Sequence, residues 1–194
     1  MHTAENVYFS DRPSAVFRQV FTQRRAPGLV SLGPHATARD PEERPMHRIL
    51  FVCHGNICRS TMAQFVMEHL VRAAGREGEF EIDSAATSRE EIGCPPHRGT
   101  AAKLRRMGVP VGEHRARQVR ADEYGDWDLI VCMDEENLWG LRRIIREDPE
   151  GKVRKLLSFA GSGRDIADPW YTGNFDDTYD DVLEGCKALL AQLG

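Results

Sequence analysis

A cysteine, an arginine six residues later and the loop between them carry most of the chemistry legible in this sequence. The run is Cys53-His54-Gly55-Asn56-Ile57-Cys58-Arg59-Ser60. An apolar stretch precedes it and a helical pattern follows, so it reads as a strand-to-helix loop. In open α/β sheets, ligands bind beyond the carboxyl ends of the strands. Successive N–H groups of a tight loop of this kind form an anion nest, and the positive end of the next helix adds to it. Gly55 and Asn56 tolerate the left-handed backbone such a loop needs. Arg59 offers a planar, two-pronged donor for phosphate oxygens. Cys53 falls at the centre of that cradle, where the field favours thiolate over thiol. A thiolate beneath a bound phosphate is a nucleophile aimed at phosphorus. The cysteine–arginine spacing is weak by itself, because a buried strand cysteine and an arginine at a helix end look the same. The flanking strand and helix patterns, with Gly-Asn inside, favour the phosphate loop.

Departure of an oxygen leaving group from phosphorus calls for a proton, and a carboxylic acid near that oxygen can supply it. Asp165 and Asp168 both lie in the loop after the fourth predicted strand. Pro169 restricts the backbone of Asp168 and so where its carboxyl points. Asp168-Pro-Trp-Tyr171 also fits an ordinary surface turn, and the residues alone leave both acids open. Trp170 and Tyr171 could wall a cleft around an aromatic phosphoester, or pack in the core. Cys58 could form a reversible disulfide with Cys53 under oxidation, or pack as a small apolar side chain behind the loop. Cys94, Cys132 and Cys186 read as structural thiols. An odd total of five cysteines without paired spacing argues against a secreted disulfide framework and makes a reducing cytosol the default. No Cys-x-x-Cys or His-x-x-x-His pair occurs, so no metal is expected, and two-step thiolate chemistry needs no cofactor.

The elements that must position these groups follow from periodicity. Strands are expected at 48–53, 79–84, 128–133 and 153–159, and helices at 60–74, 96–107, 134–146 and 176–193. Asp134 is a candidate cap for the third helix. Strands alternating with helices imply an α/β fold: an open, mainly parallel four-stranded sheet with helices on both faces and the phosphate-binding loop after the first strand.

The chain of 194 residues is 41% hydrophobic and 29% charged, enough for one sizeable core. A net charge of -4 gives no basic field for nucleic acid or an anionic membrane. Residues 1–45 read as a poorly ordered N-terminal extension, with Pro27, Pro34, Pro41 and Pro45 and no lasting periodicity beyond a short amphipathic pattern at Val16, Phe17, Val20 and Phe21. The domain proper is expected to span 46–194.

Phe51-Val-Cys-His-Gly-Asn-Ile-Cys-Arg-Ser-Thr-Met-Ala-Gln64 resembles the signature of the low-molecular-weight protein tyrosine phosphatases. The similarity runs from about Arg48 to Leu193 and includes Ile82-Asp-Ser-Ala-Ala-Thr87, His114-Arg-Ala-Arg-Gln118, Val131-Cys-Met-Asp134 and Asp168-Pro-Trp-Tyr171. The first 45 residues have no counterpart. The resemblance implies Cys53 as nucleophile, Arg59 as phosphate clamp and Asp168 as general acid. It places substrate against His54, Gly55, Asn56, Ile57, Cys58, Ser60, Trp170 and Tyr171. It further implies that Asn56, Ser84 and His114 brace the loop by hydrogen bonds and that Ser60 donates to the thiolate. A further wall comes from the loop 88–93, with Glu90 near the matching place, and an acidic rim would favour basic residues near the phosphotyrosine.

The implied function is a cytoplasmic, monomeric protein tyrosine phosphatase working through a phosphocysteine intermediate. Its partners would be phosphotyrosine proteins or small phosphoesters, with no nucleic acid and no membrane. Three alternatives share the loop. Arsenate reductases of this fold need an additional redox cysteine pair and lack the Asp-Pro-aromatic loop. Protein-arginine phosphatases carry threonine where Ile57 stands. A phosphate-binding module without catalysis would not need Cys53, Arg59 and Asp168 together.

Overall fold

The structure, a computed structural model, describes residues 46–194. The extension, including the amphipathic pattern at residues 16–21, lies outside the described residues. Four strands form one sheet: β1 (His47–Cys53), β2 (Phe80–Ala86), β3 (Leu129–Cys132) and β4 (Val153–Lys155), in the order β2-β1-β3-β4. Every pairing is parallel. Five α-helices connect and follow them: α1 (Arg59–Ala73), α2 (Arg98–Arg106), α3 (Glu135–Ile145), α4 (Pro169–Thr172) and α5 (Phe175–Gln192).

β1 lies between β2 and β3, and Ile49, Leu50, Phe51 and Val52 are fully buried. That is why its sequence is a continuous apolar run rather than an alternation. Successive side chains point to opposite faces. Leu50 and Val52 join Ile130, Cys132 and Leu141 of α3 in one cluster. Ile49 and Phe51 therefore face the other layer. In that layer α5 lies against α1, where Cys186 Sγ is 3.7 Å from the Ala63 carbonyl. Along α5, Tyr179, Val182, Cys186 and Leu189 are buried at helical spacing, whereas Leu183 and Leu190 are only half-buried.

Helix starts follow capping chemistry. Asp134 accepts from the Asn137 N–H at 2.6 Å, and Asn174 accepts from the N–H groups of Asp176 and Asp177. The fourth strand is shorter than its apolar run suggests. It stops at Lys155, and Leu156–Ala160 forms a 3₁₀ turn whose Leu156, Leu157 and Phe159 are buried. A short apolar run does not distinguish an edge strand from a buried turn by periodicity alone. The α4 turn was also absent from the periodic pattern, because four residues are too few to show one. All four strands run parallel, so the loops leaving β1, β2 and β3 gather at one sheet edge.

Candidate active site

Cys53 ends β1 and is 2% exposed. Its Sγ lies 3.0 Å from Ser60 Oγ and accepts from the Asn56 backbone N–H at 3.3 Å. The loop turns at Asn56, whose φ of 57° is left-handed. Every polar part of that fully buried residue is engaged. Its amide Nδ2 donates to Ser60 Oγ at 3.0 Å and to Ser84 Oγ at 2.8 Å. Its Oδ1 accepts from the Arg117 backbone N–H, and its carbonyl accepts from Thr61 Oγ1 and His114 Nε2, both at 2.8 Å. Ser84 in turn donates to Gln64 Oε1 at 2.6 Å. Asn56, Ser60, Ser84 and His114 thus meet in one network, with His114 on the backbone of Asn56 rather than its side chain. Such a network holds a loop in a conformation that L-residues rarely adopt.

His114 is half-buried, and burial pushes its pKa below the usual 6.5, although the Asn56 carbonyl pulls it upward. Between the folded and unfolded values the unfolded chain binds more protons, so stability is full above pH 6.5 and declines as pH falls through the lower folded value. His69 shifts in the same direction by burial. The wild type should therefore lose more stability on acidification below about pH 6.5 than a His114→Gln variant. Urea unfolding across pH checks this, and identical slopes in the two proteins would remove the His114 contribution.

α1 begins at Arg59 and has no side-chain cap. The orphan amides of such a first turn are those that an anion satisfies. The Arg59 guanidinium is buried, with Nη2 donating to Asp168 Oδ2 at 2.5 Å, and Nη1 to Asp134 Oδ2 and the Ile166 carbonyl. Burial opposes its charge, but Cys53, Asp168 and Asp134 outweigh that and raise its pKa.

The two candidate acids separate cleanly. Asp168 lines the same pocket as Cys53, a cavity of about 100 Å³. Its Oδ1 caps α4 by accepting from the Trp170 N–H at 3.0 Å while Oδ2 holds Arg59. Asp165 is instead paired with Lys155 at 2.9 Å and lines no part of that pocket. Trp170 is 56% and Tyr171 82% exposed, and both line the pocket, so they are walls and not core. His54, Gly55, Ile57 and Cys58 complete the inner lining, and Glu90 and Glu91 form an acidic rim. Glu90 pairs with His54 Nε2 at 3.2 Å. Cys58 is buried with Ile57 and Ala116. Burial, and then the charge of Cys53, pushes its pKa up to about 12, so it stays a thiol.

The sequence pattern gives neither Asp134 nor Glu91 a place in the site. The sequence marks Asp134 as a helix cap, and it does cap α3, but its second oxygen also binds Arg59. An acid at the carboxyl end of β3, on the same sheet edge as Cys53, was the available signal. Glu91 stands beside Glu90 and gave no separate signal.

A family model described as low molecular weight phosphotyrosine protein phosphatase matches residues 48–194. The chain belongs to that family. It is 39% identical over 150 residues to the low molecular weight protein-tyrosine-phosphatase YfkJ of Bacillus subtilis, covering 76% of this chain and 96% of that one. The crystal structure of YfkJ superposes with a TM-score of 0.75 over 78% of this chain and 96% of that chain. A low molecular weight phosphotyrosine protein phosphatase of Gallus gallus is 39% identical over 147 residues, covering 73% of this chain and 92% of its own length. A solved arginine phosphatase of drosophila has a TM-score of 0.68 at 29% identity, over 75% of this chain and 96% of that one. Among the described residues no helix is long and apolar enough to cross a membrane.

Proposed function

We propose that the chain hydrolyses phosphotyrosine in two steps through a phosphocysteine at Cys53. The observation that carries this reading is the convergence of Cys53 and Asp168 on one pocket, with Arg59 paired to the acid. A phosphate dianion entering the loop takes the Arg59 donors and the uncapped amides of α1, which releases Asp168 from its ion pair with Arg59 and lets the carboxylate take up a proton beside the dianion. The Cys53 thiolate attacks phosphorus, the P–O bond to the phenol breaks, and Asp168 gives its proton to the departing oxygen. Water then attacks the phosphocysteine. Asp168 accepts its proton, the S–P bond breaks and the thiolate leaves with Ser60 donating to it, releasing inorganic phosphate. Asp134 holds the Arg59 clamp, and the side chains of Asn56, Ser84 and His114 hold the loop in place.

Trp170 and Tyr171 suit an aromatic leaving group, and buried Ile57 fits an apolar inner wall. The purified protein should release phosphate from phosphotyrosine faster than from phosphoarginine, and should not reduce arsenate with a thiol donor. A preference for phosphoarginine would overturn the substrate class. No release from any phosphoester would leave only a binding module. We assign the activity to residues 46–194, as a cytoplasmic monomer. A chain starting at Met46 should fold and keep full kcat/KM on p-nitrophenyl phosphate, because Cys53, Arg59, Asp168 and, among the described residues, the rest of the pocket lining lie downstream. Activity recovered only with residues 1–45 restored would contradict that boundary.

A further inference from the structure

A second concavity adjoins the catalytic pocket. It has a volume of about 420 Å³, within the size range of side-chain and small-ligand sites. His54 lines both cavities, so they share a wall. Thr87, Gln118, Trp139, Arg143 and Ile144 form much of the rest. Among the described residues the exposed large apolar side chains are Met46, Ile92, Trp139, Trp170 and Tyr171. Trp170 and Tyr171 wall the catalytic pocket, and Ile92 belongs to the loop that carries Glu90 and Glu91. Trp139 is 59% exposed and has no part in the chemistry. An exposed indole beside a cleft marks an interaction surface.

The groove is built rather than incidental. α3 runs so close to the loop after β2 that a Cβ on Gly140 would lie 2.9 Å from Thr87 Cβ, so only glycine permits the approach. Gln118 Nε2 donates to the Thr87 carbonyl at 3.0 Å and ties the wall to its neighbour. The Arg143 guanidinium sits over the Trp139 ring, 4.7 Å from its centroid, and biases the indole toward this orientation. A positioned aromatic side chain loses little freedom when it is covered, which favours binding.

We propose that this groove seats an apolar side chain, aromatic or aliphatic, of the substrate polypeptide close in sequence to its phosphotyrosine. The inference rests on the phosphotyrosine reading above. The occupant follows from continuity: a chain whose phosphotyrosine enters past His54 is led directly to the indole. Trp139 and Ile144 offer it apolar surface. The groove is thus a specificity site for the flanking sequence, and the catalytic pocket remains the site for the phosphate.

The test uses phosphotyrosine peptides in which each flanking position, out to roughly four residues or about 14 Å of extended chain, carries leucine, phenylalanine or serine. Wild-type protein should prefer the apolar residue at one position by about tenfold in kcat/KM. Trp139→Ala should reduce that ratio to near one, and Trp139→Phe should restore most of it. Because the readout is a ratio within each protein, a general loss of activity does not imitate it. No apolar preference at any position, or a preference that survives Trp139→Ala, overturns the proposal. Free phosphotyrosine is assayed alongside: failure of the wild type to hydrolyse it sinks the functional reading itself, whereas hydrolysis of it without peptide selectivity sinks only the groove. Wild-type self-association that Trp139→Ala abolishes, without peptide selectivity, would assign the face to a second copy of this chain and overturn the proposal equally.

Discussion

Cys53→Ser should lose turnover by about 10⁴-fold or more, the scale seen when a covalent nucleophile is removed, while keeping its fold. A serine hydroxyl does not ionise near neutral pH without a base beside it. The replacement is close in size, and Asn56 N–H and Ser60 Oγ remain as partners for the new oxygen. Phosphate binding should persist, because Arg59 and the α1 amides are untouched. Steady-state hydrolysis of p-nitrophenyl phosphate and calorimetric titration with inorganic phosphate measure the two properties separately. Loss of both together would point to a collapsed loop. More than about one per cent of residual activity would be inconsistent with the loss stated above and would move the nucleophile elsewhere.

The second large effect is expected at Asp168. A general acid matters most when the leaving group is poor, and a tyrosine phenol has a pKa near 10. Asp168→Asn should slow phosphotyrosine hydrolysis by about 10²–10⁴-fold, the usual range for general acid catalysis. An ester with a much more acidic phenol should lose less. Asparagine is the informative replacement because it can still accept from the Trp170 N–H and cap α4, but has no acidic proton to give. Alanine removes the cap as well, so a larger defect in Asp168→Ala than in Asp168→Asn would measure positioning of the α4 turn. Aryl phosphates of graded leaving-group pKa, compared by kcat/KM so that only the step breaking the P–O bond is read, supply the test. A steeper dependence in the variant supports the acid role, and equal losses across the series would remove it.

The parts of the site legible in the sequence are those whose chemistry is contiguous. Cys53, Asn56, Arg59 and Ser60 belong to one loop and one helix start, so their spacing together with the flanking strand and helix patterns put them in one place, and the family resemblance supplied the roles of Asn56 and Ser60. Asp168 and Asp165 stood three residues apart with equal chemistry. The Lys155 ion pair that withdraws Asp165 is a tertiary fact, invisible to a pattern of neighbours. The same holds for Asp134, which meets Arg59 across 75 residues of chain. Its capping signal was local and legible, and its second role was not. The sheet was legible because β1 and β3 are buried runs bounded by turns. β4 was overextended because Leu156, Leu157 and Phe159 are buried for a different reason, beneath α5. The Trp139 groove had no sequence signature at all. An exposed tryptophan and a core tryptophan on a helix read alike until burial is known.

The phosphocysteine is the central claim, and the most direct measurement is its capture. Asp168→Asn mixed with p-nitrophenyl phosphate should pass the first step with little help, since that phenol leaves readily. It should stall at the second, where water lacks its base. Acid quenching over a time course, followed by mass spectrometry of the digested protein, reads the result. One phosphoryl group on Cys53, rising with the first equivalent of phenol released, is the result the mechanism predicts. Phenol release with Cys53 unmodified at every time, or a phosphoryl group on any other residue, would contradict it.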